Sequence, residues 1–272
     1  MSWRSRTWPG SRRIPPPRWT PRSCSCGGAG RGSDRPRRAG RPSPSRSRPW
    51  PVLNEVVTSD FAPPAELARR VGRIWRRSGE LPPALPQPYV DLLVFADGSL
   101  WLTGPETEAR TGSLAEPLTG VRLRPGTCAS VLGIAADEVP LAGMPLPGSG
   151  LEAAFRALRA PARPADRAVA QVLQAVHEKP GAPVSDHAAA AGLSERQLRR
   201  RFSVAVGLSP KTYARVVRLH RAMALARSSP APDWAAIAVR SGFYDQPHML
   251  AEFRRAVGAS CVRFFQAAPA DG

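Results

Sequence analysis

The stretch SERQLRRRFSVAVGLSP, residues 194–210, gathers Arg196, Arg199, Arg200 and Arg201 around the apolar Leu198 and Phe202. Like charges three or four residues apart on a helix repel, at a cost of a few tenths of a kcal/mol per pair. A polyanion outside the chain would offset that cost. At about 100° per residue, Leu198 and Phe202 share one buried stripe. Arg199, Ser203, Arg196 and Arg200 fall on the opposite arc, and Arg201 lies off to the other flank. Arginine donates paired hydrogen bonds to guanine O6 and N7, and it clamps phosphate oxygens equally well. The chemistry on offer is therefore polyanion recognition. Residues 51–160 show no nucleophile with its base, no glycine phosphate loop and no histidine cluster.

Such a helix has to be held in place, and the flanking residues supply the means. Ser194 is the expected N-cap, and Gln197, three residues on, completes a capping box. Gly192-Leu193-Ser194 forms a tight turn after the short alanine-rich helix VSDHAAAAG. Helix, glycine turn, helix is a helix-turn-helix layout. Upstream, DRAVAQVLQAVHEK spaces Val169, Val172, Leu173 and Val176 for one helical face, and Pro180-Gly181 ends it. Downstream, Pro210 opens a long helix with an apolar face of Tyr213, Val217, Leu219, Ala222, Leu225 and Ala226. The pattern then recurs: Asp233 caps a short helix, Gly242-Phe243 makes a turn, and Asp245 caps a helix carrying Met249 and Phe253. FSVAVGLSP and FRRAVGASC form a weak internal repeat.

Charge divides the 272 residues unevenly. Residues 1–48 hold 13 arginines against one acid, residues 49–165 are near neutral, and residues 166–265 hold 15 basic against 7 acidic groups. A folded basic region suits nucleic acid. Residues 1–50 are Arg, Pro, Ser and Gly with few aliphatics, so they are expected to be disordered and dispensable for folding. Residues 51–160 carry short apolar runs broken by Gly and Pro. Leu67, Val71, Ile74 and Trp75 fit a helix or a strand. Asp97-Gly98 is a hairpin turn between Leu92–Phe95 and Leu100–Leu102. VRLRP reads as a half-exposed strand, PGTCASVLGI as the start of a short helix, and LEAAFRALRA as an amphipathic helix. Asp91, Asp97 and Asp137 are expected to cap turns. Cysteines 24, 26, 128 and 261 give neither a disulfide framework nor a four-ligand zinc set. No apolar run of membrane-spanning length and no secretory leader is present, which points to a cytoplasmic protein.

With these motifs in place, residues 166–265 resemble the DNA-binding domain of the AraC/XylS family of bacterial transcription regulators. The resemblance rests on Gly192-Leu193-Ser194, Leu198, Arg200, Phe202, Gly207, Ser209-Pro210, Tyr213, Arg218-Leu219, Ile237-Ala238, Gly242-Phe243, His248, Phe253, Arg254 and Gly258. It implies two recognition helices in successive turns of the major groove. Carried over residue by residue, it assigns DNA contact to Arg196, Arg199, Arg200 and Ser203 in the first unit, with Lys211 beyond it. In the second unit it assigns contact to Gln246, Pro247, Leu250 and Ala251. Pro247, Met249, Ala251 and Cys261 depart from the family pattern, so the second helix is expected to position more than it specifies. His248 is expected to be a packed structural residue. DLLVFADGSLWLTGPET and GVRLRPGTCASVLGIAADEV resemble a sensor-like N-terminal domain of an actinobacterial branch of that family.

The expected architecture is α+β and multidomain: a small β-rich domain (51–160) after the tail (1–50), a linker (161–165), and an all-α domain (166–268) of two helix-turn-helix units joined by a long helix. The expected activity is that of a sequence-specific transcriptional regulator, not an enzyme, without metal or cofactor. Its partners would be double-stranded DNA, RNA polymerase and a small-molecule effector. A DNA alkyl-transfer repair protein sharing this module, and a non-specific basic DNA binder, stand as the competing readings. The sequence leaves the oligomeric state open.

Overall fold

The computed structural model describes residues 57–81, 85–109, 112–160 and 163–267. The Arg/Pro-rich segment and the Cys24/Cys26 pair lie outside the described residues. Among the described residues, six strands form one antiparallel sheet: β1 (Val57–Phe61), β2 (Val71–Leu81), β3 (Asp91–Val94), β4 (Ser99–Thr103), β5 (Gly112–Leu123) and β6 (Met144–Ser149), in the order β1-β2-β5-β3-β4-β6. The ambiguous spacing from Leu67 to Trp75 resolves into a 3-10 turn, Ala65–Leu67, followed by strand β2.

The run DLLV is apolar after its first residue because both faces of β3 are covered. Leu92, Leu100, Leu102, Val121 and Ile74 face a core that includes Val131 and Cys128 of α1 (Cys128–Leu132) and Ala154 and Leu158 of α2 (Gly150–Arg159). Trp75, Leu93, Trp101 and Leu118 cluster separately. The Asp97-Gly98 hairpin is present: the Asp97 carboxylate accepts from the Ser99 amide at 2.8 Å, and Gly98 takes φ +81°. Asp91, expected to cap a turn, does something else. Directly across from Arg122 in the β3–β5 register, it receives a two-pronged hydrogen bond from that guanidinium at 3.0 and 2.8 Å. Both side chains are almost buried, so the pair offsets part of the cost of taking two polar groups out of water. Asp137 lies exposed on a second 3-10 turn, Ala136–Glu138.

The strands β2 and β5 are longer than the short apolar runs suggested. Gly120, a poor strand former, is required there: a Cβ at that position would lie 2.1 Å from the indole of its cross-strand partner Trp75. The ring occupies the space a side chain would fill.

Seven helices follow among the described residues: α3 (Arg167–Glu178), α4 (Val184–Ala190), α5 (Glu195–Val206), α6 (Pro210–Arg227), α7 (Trp234–Arg240), α8 (Gln246–Val257) and α9 (Cys261–Ala267). They carry two cores. Val169, Val172, Val176, Leu198, Phe202 and Tyr213 build the first; Leu219, Ile237, Phe243, Met249, Phe253 and Phe264 build the second. Helix α6 feeds both. Helix α9, which the sequence pattern does not single out, adds Cys261 and Phe264 to the second core. The sheet and the helices belong to one compact unit, Leu53–Gly272. Leu85, from the connection between β2 and β3, is buried in the second helical core.

Candidate nucleic-acid interface

Helix α5 is fixed at its start by the expected capping box. The Ser194 hydroxyl accepts from the Gln197 amide at 3.3 Å, and the Gln197 side chain accepts from the Ser194 amide at 2.9 Å. Gly192 at φ +67° turns the chain, and the Leu193 amide donates to Ala188 O at 2.9 Å. Leu198 and Phe202 are fully buried, which anchors the opposite face outward.

The four arginines then separate into three situations. Arg196 and Arg199 are exposed in the first turn and a half of α5; Arg199 touches Glu195, at 3.7 Å along the helix. Arg200 is exposed and lines an open cleft of about 440 Å3, whose wall includes Ser130, Arg163 and Asp166. Arg201, on the other flank, is engaged: its guanidinium donates to both oxygens of Asp166, at 2.7 and 2.6 Å. Asp166 also caps α3, accepting from the Val169 amide at 3.1 Å. The hydrogen bond from Arg201 holds the Asp166 carboxyl below its ordinary pKa. So Arg201 ties α5 to the start of α3. Ser203 is half-buried, and Lys211 is exposed in the first turn of α6, whose N-cap Ser209 accepts from the Thr212 amide.

The second unit repeats the construction. The Phe243 amide donates to Ala238 O at 3.0 Å, Gly242 takes φ +89°, and Asp245 caps α8 through the His248 amide at 2.7 Å. The turn is one residue longer than in the first unit: Ser194 stands two residues after Gly192, whereas Asp245 stands three after Gly242. The extra residue is Tyr244, 88% exposed at the entrance to α8. The motif residues alone do not single it out; the difference between the two glycine-to-cap spacings does. His248 is exposed rather than enclosed, but it is structurally engaged. Its Nδ1 accepts from the Tyr244 amide at 3.3 Å, which places the ring proton of the neutral form on Nε2, and the ring packs edge-on to Phe243. Pro247 and Ala251 are exposed, Gln246 is half-buried, and Leu250 is half-buried against the second core.

Arg218 of α6 joins the two units. It donates to Pro180 O of the first at 2.9 Å and lies over the Phe243 ring of the second, 5.3 Å from its centre. Beside it the two turns touch: a Cβ on Gly181 would sit 2.8 Å from Gly242 O. Burial depresses the pKa values of His177, His187 and His220. The His220 ring donates from Nε2 to Pro86 O at 2.7 Å.

Two capped helices, each following a glycine turn and each backed by its own core, define the arrangement, and residues 187–267 match the family described as a helix-turn-helix domain. Residues 187–267 are an AraC-type helix-turn-helix domain. An AraC-type domain binds DNA, and its presence supports a DNA-binding transcriptional regulator. Among solved structures, a probable AraC family transcriptional regulator from Rhodopseudomonas palustris is 27% identical over 38% of this chain and 100% of its own, with a TM-score of 0.32. The C-terminal domain of AraT, a response regulator from Geobacillus stearothermophilus, is 21% identical over 38% of this chain and 87% of its own, at 0.36. ToxT from Vibrio cholerae, with an unsaturated fatty acid bound, is 9% identical over 80% of this chain and 98% of its own, at 0.43. No curated protein matches the chain. Among the described residues, no helix is long and apolar enough to cross a membrane.

Proposed function

We propose that the protein is a sequence-specific regulator in which α5 reads one half of an operator through Arg196, Arg199 and Arg200. Ser203 and Lys211 contact the flanking backbone. Helix α8 lies one turn of DNA away and touches it through Gln246, Pro247, Ala251 and the edge of Leu250. The observation that carries this reading is the sorting of the arginines on α5. Arg201 is bound to Asp166, while Arg196 and Arg199 stand exposed on a helix whose start is fixed by a capping box. A solvated basic face has no need of that division. In this reading residues 166–268 form the DNA-binding domain, residues 51–160 a sensor domain for a small-molecule effector, and residues 161–165 the linker. RNA polymerase is the further partner.

Selection of operators from a random DNA pool tests it. The expected product is one sharply constrained half-motif, rich in guanine, and one loosely constrained half about 10 base pairs away. Equal retention of all sequences at physiological salt would overturn sequence-specific binding and leave a non-specific basic binder.

A further inference from the structure

The C-terminal ends of the two recognition helices are both held by one short loop that belongs to the sheet. This loop, Gly104–Ala109, leaves the end of β4. Its first contact is with the first unit. Gly207, the left-handed C-cap of α5 at φ +81°, is wedged between the Pro105 ring and the Ala136 carbonyl of the second 3-10 turn, so that a Cβ there would stand 2.9 Å from the ring and 2.8 Å from the oxygen. Two residues later the loop reaches the second unit. Thr107 O accepts from Arg215, the α6 residue whose guanidinium also faces the buried Glu252 of α8. The Ala109 amide donates to Ala256 O at 2.7 Å. Ala256 is in the last turn of α8, where carbonyls have no partner within the helix. The loop is itself tied to the sheet side, since Gly104 donates to Pro140 O at 3.3 Å and Glu106 to Gln87 O at 2.7 Å.

We propose that loop 104–109 is a positioning element for DNA binding: by gripping the far ends of α5 and α8, it sets the angle between them and so the operator spacing the protein accepts. This rests on the functional reading above. The loop is far from the groove-facing ends, because a 12-residue helix is about 18 Å long. In this proposal it acts through helix placement and not through base contact. A change in the sheet that moves the loop would alter spacing preference without changing which bases either helix reads.

The test uses the full chain and operators selected with it, in which the two half-motifs are separated by their optimal spacing or by one or two base pairs more or fewer. Each inserted pair rotates the second half by about 35°. The wild type should lose about tenfold or more in affinity per pair, whereas Ala109→Pro, which removes the amide donor, and Pro105→Gly should lose less than about threefold over the same series. Affinity for an isolated first half-site should stay unchanged in both. A general packing role would instead weaken all spacings alike. Identical spacing profiles in folded variants overturn the proposal. A second measurement covers variants that do not fold. In the unaltered protein, amide exchange across 104–109 should slow when the optimally spaced operator binds and stay unchanged with a single half-site. Exchange unaltered by both also overturns it. A protein that selects no half-motif at all would instead fail the functional reading.

Discussion

Replacing Arg201 with alanine and Arg199 with alanine should produce opposite outcomes, although the residues are two apart on one helix. Arg201→Ala removes both hydrogen bonds to Asp166, at 2.7 and 2.6 Å. A buried charge-assisted pair of this geometry would contribute several kcal/mol, but the Arg201 side chain is 37% exposed and Asp166 26%. Solvent screening reduces the expected loss to about 1 kcal/mol, or a fall of roughly 2–4 °C in Tm for a folded region of this size. Asp166 remains as the α3 cap. Base preference should not change, because Arg201 offers its donors to Asp166 and not to the groove. Arg199→Ala gives up only an exposed contact with Glu195 at 3.7 Å. Stability should shift by less than about 0.5 kcal/mol, while operator affinity falls by about 1–3 kcal/mol, roughly 5- to 150-fold, with relaxed preference at one position. Thermal melts at matched salt and a titration against single-base operator variants measure both. The Arg201–Asp166 pair also predicts a pH effect. Asp166 has its pKa lowered in the folded state, chiefly by the Arg201 hydrogen bond. Its contribution is therefore complete above the unfolded value of about 3.9 and is lost as pH falls through the lower folded value. Arg201→Ala should flatten stability across that acid range only. An Arg201→Ala protein that keeps its Tm but loses base preference would refute the division of labour on α5.

Gly120→Val should destabilise the sheet, because its Cβ would lie 2.1 Å from the Trp75 indole; overpacking of this kind costs about 1–3 kcal/mol, measured by urea unfolding, and unchanged stability would mean the indole is not seated there. Ala251→Arg, at an exposed position of α8, should tighten operator binding by up to about tenfold through a new phosphate or base contact; unaltered or weaker binding would place Ala251 away from DNA. A chain beginning at Val52 should keep its Tm and its base preference. If the 13 arginines of residues 1–48 touch phosphates, the slope of log affinity against log salt should flatten by about 0.9 for each phosphate they neutralise; an identical slope would show that they touch none.

The helices from α3 to α8 are legible in the sequence because their signals are local. Ser194 with Gln197, Asp233 and Asp245 are caps that act within three residues, and all four perform that role. The stripe of Leu198 and Phe202 names the buried face of α5, and both are fully buried. The Asp97-Gly98 hairpin is legible for the same reason. The extent of β2 and β5 is not, because Gly120 reads as a break until Trp75 lies across it from another strand. Asp91 reads as a turn residue because its partner Arg122 is 31 residues away.

What the sequence determined by itself, then, was the kind of interface: capped helices after glycine turns, carrying arginines opposite an apolar stripe. Periodicity and capping depend on neighbours within one or two turns, so a single chain read in order contains them. Tertiary structure decided which arginines are free. On a helical wheel Arg201 already lies on a different flank from Arg199, but only the fold shows what that flank meets: Asp166, 35 residues earlier, which engages the Arg201 guanidinium. It also decided that the sheet reaches into the DNA-binding half, through Leu85 in the second core and the Ala109 amide on the last turn of α8. Such contacts join segments more than a hundred residues apart, and they form because orphan carbonyls and exposed apolar side chains are costly wherever they occur along the chain.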